Sequence, residues 1–351
     1  MRPSLRLMAA GLSLLFASLT HADEQVITAL HAFPPSLIYT QSFLEFVDDV
    51  NEEGKGVIRI DVLGGPEVIG LSQQPYAVRN GVVDMAYTAA SFYAGTLPER
   101  DALISSNTNA IHARQSGGID LLNRIHQRKM DVFYLGWFDS GIKYNLYTIN
   151  KPVVNDQGDL ALPSLRLRSN PVYDAFFTDY LKAQPISLPT TDVYSALERS
   201  VVNATGWTQI GMNDLGWNKF LRYRIDPAFY STDMGVIVNL ESWNALSDDA
   251  RRILQDVAIR HERDSALRFA KAATEQQRQL EANGMTPFKL DPAAADRYLR
   301  AAREASWRRM KRYMEHQPGG LSHYQDLIEK FNDPAVDAGK DAADTARSTT
   351  R

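Results

Sequence analysis

The chain has no cysteine. No disulfide can staple it, and no thiol can act as a nucleophile, so a large hydrophobic core has to carry the fold. Other signatures are missing too. There is no Gly-x-Ser-x-Gly elbow and no glycine-rich phosphate loop followed by Lys-Ser or Lys-Thr. The histidines are His21, His31, His112, His126, His261, His316 and His323, and no two have zinc-ligand spacing. Catalytic groups can lie far apart in sequence, so these gaps do not exclude an enzyme, but they favour binding over catalysis. Blocks of basic residues are also absent. Lys and Arg number 38 against 42 Asp and Glu, for a net charge of −4. That balance argues against a nucleic-acid partner. It leaves room for an anion, because one local arginine can dominate a pocket on an acidic surface.

What is present begins with an export pattern. Arg2 and Arg6 precede an uncharged apolar run from Leu7 to Leu19, and Thr20-His21-Ala22 offers a small residue before the polar Asp23-Glu24. Charge, short apolar core and small-residue exit are the pattern of a signal peptide, expected over residues 1–22. The alternative is a retained anchor, but the run falls short of the ~20 residues that cross a bilayer. No later segment approaches that length, so the chain is expected to be non-membrane-spanning after cleavage.

Strand-like and helix-like segments then alternate. Gln25 to His31, Val57 to Leu63 and Val82 to Thr88 read as strands, with helices at Leu37 to Val50 and Gln73 to Asn80 between them. The second half repeats the order. Strands are expected at Ser164 to Ser169, Pro185 to Leu188 and Val201 to Trp207, and helices at Val172 to Lys182 and Asp192 to Arg199. Two corners resemble each other at a constant offset: Ala77-Val78-Arg79-Asn80-Gly81-Val82-Val83-Asp84 and Ala196-Leu197-Glu198-Arg199-Ser200-Val201-Val202-Asn203. Two such units imply two α/β lobes, with a ligand between them beyond the carboxyl ends of the strands. Lobe I is expected over 23–150, with 234–285 returning to it or bridging. Lobe II is expected over 151–233, completed by 286–332. Ser247 caps an uninterrupted helical stretch from Asp248 to Asn283, about 54 Å long and so read as a brace across both lobes. Pro292 to His316 is a further amphipathic helix. Residues 333–351 are poor in apolar residues and read as a disordered tail.

The candidate binding residues lie at strand ends. Arg168 ends the strand Ser164 to Ser169, where a guanidinium can grip a carboxylate with two parallel hydrogen bonds. Arg166 lies deeper on the same side of the strand. Trp207 ends another strand, Phe33 follows the first, and Phe229 and Tyr230 follow Asp226-Pro227. These aromatics are equally consistent with pocket walls and with packing. Thr88, Ser91 and Asn145 complete the candidate ligand contacts.

Several stretches carry a family likeness. Leu162-Pro163-Ser164-Leu165-Arg166-Leu167-Arg168 resembles the LKGLKIR segment of the solute receptors of tripartite ATP-independent periplasmic (TRAP) transporters, DctP type. Asp192 to Leu197 followed by Val201 to Ala204 is similar to that family's EVYTALQxGVVDG. Gly81 to Ala86 resembles its GxVDMA, Ser140 to Lys143 its xGFR, and Asn239 to Asp249 its VNKxxWDALPxD. The likeness runs from about Val26 to Tyr324 in consistent order. It implies a two-lobed periplasmic binding protein fold with a long lobe-spanning helix. It implies capture of a small organic acid and its delivery to TRAP membrane subunits that use an ion gradient. It also implies that Arg168 binds the substrate carboxylate.

The departures from the family pattern are informative. Lys143 stands where many members have a second arginine. Thr205-Gly206-Trp207 replaces the common QEN, so tryptophan stands where an asparagine contact is frequent. A related oxo-acid-binding subgroup has that tryptophan after a metal-ligating glutamate, with a second carboxylate near position 231. Here those places hold Gly206 and Ser231, so no metal or other cofactor is expected. The tryptophan likeness makes Asn145 a candidate contact to a 2-oxo or 2-hydroxy group. The competing classes are a ligand-sensing partner of a membrane kinase and a periplasmic hydrolase.

Overall fold

The computed structural model describes residues 24–333 other than 163, 164, 171 and 184, together with residue 336. The expected export signal and most of the expected tail lie outside these residues. In chain order the strands are β1 (Gln25–His31), β2 (Ile58–Gly64), β3 (Met85–Ala89), β4 (Val132–Trp137), β5 (Tyr144–Thr148), β6 (Val153–Val154), β7 (Leu160–Ala161), β8 (Leu167–Ser169), β9 (Ile186–Ser187), β10 (Ala204–Thr208), β11 (Tyr223–Asp226), β12 (Met234–Asn239) and β13 (Thr286–Lys289). Two sheets result, ordered β2-β1-β3-β12-β4 and β13-β11-β5-β10-β8-β9, with β6 and β7 as a separate pair. Within each sheet the three strands expected from the repeat pair in parallel, β1 with β2 and β3, and β8 with β9 and β10.

The two resembling corners have the same geometry. Gly81 (φ 69°) and Ser200 (φ 56°) both adopt the left-handed conformation that ends a helix. The residue after each closes the same turn, Val82 N donating to Ala77 O at 2.9 Å and Val201 N to Ala196 O at 2.8 Å. Three residues past each turn a side chain grips the neighbouring chain. Asp84 Oδ2 accepts from Thr28 N at 2.8 Å, and Asn203 Oδ1 from Arg166 N at 2.8 Å. Because four residues are used in turning, β3 and β10 begin at Met85 and Ala204, three residues later than the alternation predicts.

The chain leaves the first sheet after Trp137, joins the second at Tyr144 and returns at Met234. Strand β5 therefore pairs in the second sheet, ahead of the expected division at 150. Its placement follows from antiparallel pairing with β10 and β11 on either side. The helix Pro292–Glu315 also departs from the expected assignment to one lobe. Tyr298 and Ala302 pack in the core of the second sheet, whereas Met310 and Met314 pack with Ile237 and Trp137 of the first. Its Arg309 forms a two-point pair with buried Asp101, at 2.7 and 2.9 Å.

The long helix Asp248–Ala282 has 35 residues, and its N-cap Ser247 accepts from Ala250 N at 3.2 Å. No proline or glycine interrupts it, and about 52 Å of rise carries it past both sheets. Near its middle Phe269 meets the Tyr39 ring edge-on at 5.6 Å. Farther along, Gln276 Oε1 accepts from Gly211 N at 2.8 Å, and Glu281 pairs with Arg224 of β11 at 2.9 Å. The apolar side of the helix adds Leu254, Val257, Phe269 and Leu280 to a core that also holds Phe33 and Trp207. Among the described residues, no helix is long and apolar enough to cross a membrane.

Candidate functional site

A cavity lies between the sheets at the carboxyl ends of their parallel strands. From the first sheet come Phe33 after β1, Ala89, Ser91 and Phe92 at the end of β3, and Met234 at the start of the antiparallel β12. The second sheet contributes Asn170 after β8, Thr190 after β9, Trp207 and Thr208 at the end of β10, and Tyr144 at the start of the antiparallel β5. Tyr39 and Thr232 complete the lining. The space left is about 20 Å³, room for roughly one water molecule. A larger ligand therefore needs the two sides to separate.

Arg168 stands behind this wall and is 2 % exposed. Its Nε donates to Leu188 O at 3.0 Å, its Nη1 to the Tyr173 hydroxyl at 2.9 Å and its Nη2 to Thr190 Oγ1 at 3.2 Å. Among the described residues no carboxylate pairs with it, although the other deeply buried arginines, Arg100, Arg224 and Arg309, all have one. A guanidinium held by neutral partners in a dry site is an unneutralised positive charge, and an anion that reaches it is bound strongly.

Trp207 contributes a flat wall. Its Nε1 is committed to Ile210 O at 3.0 Å, and its ring meets Phe33 edge-on at 6.3 Å and Trp217 at 4.8 Å. Phe33 is held from its backbone, where its carbonyl accepts from Thr40 Oγ1 at 2.9 Å. Polar groups punctuate the wall. The Tyr39 hydroxyl donates to Thr208 Oγ1 at 2.9 Å. Ser91 N donates to Asp233 Oδ2 at 2.7 Å, which fixes the turn after β3. Burial raises the Asp233 pKa, and Arg100 at 3.7 Å works against that shift.

Of the predicted contacts, the cavity brings together Phe33, Ser91 and Trp207 directly, with Arg168 one bond behind Thr190. Three others are elsewhere. Thr88 alternates with Ala89, so its buried side chain faces away from the cavity. Asn145 sits opposite Trp207 across the β5–β10 pair, with its amide donating to Ile225 O at 2.8 Å and Asp226 Oδ1 at 3.0 Å. Phe229 packs among Phe176, Phe177 and Tyr298 at 5.2, 5.5 and 6.0 Å. Lys143 and Ser231 bridge to each other outside this lining. Sequence reasoning missed Tyr39, Tyr144 and Thr190. The family-like strand ends could have pointed to Thr190, which follows Pro189 just past the end of β9.

One buried cluster has the composition of a hydrolase triad. Ser42 Oγ lies 2.7 Å from Asp139 Oδ1 and 3.1 Å from His261 Nε2. The arrangement is wrong for a nucleophile. The serine proton goes to Asp139, which also accepts from the Tyr87 hydroxyl. Burial pushes Asp139 up to about 6 and His261 down to about 3. All three residues are buried and none lines the cavity. Their effect is to tie the long helix to the helix Ile38–Glu53 and to the end of β4.

Comparison with known proteins bears on the family and the fold. The family model described as bacterial extracellular solute-binding protein, family 7 (DctP), matches residues 30–313. A solute-binding protein of Albidiferax ferrireducens is 22% identical over 198 residues, 53% of this chain and 56% of that protein. The C4-dicarboxylate-binding periplasmic protein DctP of Rhodobacter capsulatus is 24% identical over 277 residues, 76% and 80% of the two chains. Among solved structures, the Bordetella pertussis receptor DctP7, which binds pyroglutamic acid, superposes with a TM-score of 0.73 at 19% identity, covering 88% of this chain and 99% of that one. A TRAP solute-binding protein of Bordetella bronchiseptica, with copurified calcium and picolinate, gives a TM-score of 0.72 at 19% identity, covering 94% and 100%. The chain belongs to the DctP family of bacterial extracellular solute-binding proteins, and its fold is that of the TRAP solute receptors.

Proposed function

We propose that this receptor captures a small monocarboxylate in the periplasm and delivers it to TRAP membrane subunits. The carrying observation is the buried Arg168, which has no carboxylate partner among the described residues and lies one hydrogen bond behind the cavity wall. An organic anion supplies the missing charge. The remaining lining is aromatic or neutral, with Phe33, Phe92, Tyr39, Tyr144 and Trp207 around the hydroxyls of Ser91, Thr190, Thr208 and Thr232. Such walls suit one carboxylate on a planar, cyclic or branched body with a neutral hydrogen-bonding group, including 2-oxo and 2-hydroxy acids. A second carboxylate would be desolvated without a cation to meet it. The two sheets act as lobes that close on the ligand, braced by the long helix, and the closed face is what the membrane subunits receive.

Native mass spectrometry of the purified protein identifies any copurified acid. A thermal-shift panel of organic acids then ranks the class. Hydrolytic turnover of a bound acid would replace this reading with an enzymatic one.

A further inference from the structure

Gly206 has no room for a side chain. A Cβ there would lie 2.5 Å from Tyr173 Cε1, 2.8 Å from Cδ1 and 2.9 Å from Cζ. The ring cannot swing clear without disturbing its neighbours, because Tyr173 is fully buried and packs against Phe177 at 4.9 Å and Tyr144 at 6.0 Å. Its hydroxyl is held as well. It accepts from Arg168 Nη1 at 2.9 Å and donates to Gly206 O at 3.0 Å. The backbone closes the same circuit. Strand β10 runs beside β8, with Thr205 opposite Arg168, and Tyr173 N donates to the carbonyl of cavity-lining Asn170 at 3.0 Å.

We infer that Tyr173 is the positioning residue for Arg168 and that Gly206 is its required counterpart. The ring takes the space a side chain at 206 would need, and the hydroxyl fixes the guanidinium for an incoming carboxylate. A charged side chain at 206 is then incompatible with Tyr173, so this wall offers a fixed arginine and leaves no place for a carboxylate that could hold a cation. The inference rests on the carboxylate reading of the site proposed above.

The test compares acids with their uncharged amides, picolinate with picolinamide and pyroglutamate with pyroglutamamide, by calorimetry on the full chain. Tyr173→Phe keeps the ring and removes the hydroxyl. Its preference for acid over amide should fall about 10- to 100-fold, as expected for a lost hydrogen bond to a charged group, with amide binding unchanged. Gly206→Ala keeps the hydroxyl but displaces the ring, and should lose the same preference. The double variant should lose no more than the larger single loss, because both act through one contact. A second measurement needs no ligand. Side-chain ¹⁵N spectra should show the Arg168 Nη signals resolved by restricted rotation in the wild type and averaged in Tyr173→Phe. Equal loss of acid and amide binding, wild-type preference in Gly206→Ala, or unchanged Arg168 signals in Tyr173→Phe would each overturn the inference. A wild type that prefers no acid to its amide sinks the carboxylate reading instead, and the Arg168 signals then judge Tyr173 alone.

Discussion

Arg168 Nη2 stands 3.2 Å from Thr190 Oγ1, and Thr190 lines the cavity, so the buried charge is separated from the ligand space by a single hydroxyl. Replacing Arg168 by Ala removes the charge, and binding of the identified acid should weaken by roughly 2–5 kcal/mol, or about 30- to 4000-fold. Arg168→Lys should also bind poorly, since an ammonium cannot reproduce the fork that reaches Leu188 O, Tyr173 and Thr190 together. Calorimetry decides. An Arg168→Ala affinity within threefold of wild type places the clamp elsewhere.

Binding should not depend on a metal ion. Positions 206 and 231 are glycine and serine, and the Ser231 hydroxyl is committed to Ser106 O at 2.9 Å. Among the described residues no three His, Asp or Glu side chains converge as a metal site. Neutral groups compensate poorly for the hydration that a cation gives up. Dialysis against chelator in sodium-free buffer should leave the affinity unchanged. A tenfold loss restored by calcium or sodium refutes the expectation.

The wall at Trp207 sets the body of the ligand. Its indole N–H is already bonded to Ile210 O, so the ring offers the ligand an apolar face. Aromatic, cyclic and branched monocarboxylates should raise the melting temperature more than succinate, malate or sialic acid do. Trp207→Ala should weaken the preferred acid by about 2 kcal/mol, as loss of a buried aromatic anchor does. Stabilisation by dicarboxylates or sialic acid alone contradicts this.

Stability should carry a pH signature from Glu262. This carboxylate lies on the long helix, buried, accepting from Trp137 N at 2.7 Å and Arg114 Nε at 2.5 Å. Burial outweighs the Arg114 partner and pushes it up to about 7. A raised folded-state pKa means that its protonated form favours the fold. That contribution is complete below the ordinary carboxylate range and is lost as pH rises toward 7. Glu262→Gln mimics the protonated form, so its stability relative to wild type should improve from pH 5 to pH 8, by up to the order of 3 kcal/mol. Chemical denaturation at the two pH values measures it. A constant difference between the proteins shows that Glu262 is ionised throughout.

Several features were legible in the sequence because their causes are local. Apolar spacing with a Ser247 cap and no breaker specifies the long helix, and its observed span, Asp248–Ala282, stops one residue short of the expected end. Alternation specifies β1, found at Gln25–His31 as expected. The corner resemblance at offset 119 follows from a shared turn, a left-handed residue followed by a side chain that grips the neighbouring strand. Arg168 was recognisable as a strand-end cation on the same grounds.

Which side chains meet the ligand space was not local. Thr88 and Ala89 are neighbours in sequence, yet only Ala89 lines the cavity, because strand pairing decides which face of β3 points inward. Phe33 and Phe229 looked alike in sequence. One walls the cavity with Trp207, and the other fills the core against Phe176. Asn145 turns toward Asp226 because β5 pairs antiparallel with β11 as well as β10. By itself the sequence determined the order of the repeated strands and helices, the turns at their corners and the long helix, since spacing and caps act over a few residues. The tertiary structure alone decided that Arg168 has no carboxylate partner among the described residues while Tyr173 closes the space at Gly206. Pairing and steric exclusion depend on distances between segments that only folding brings together.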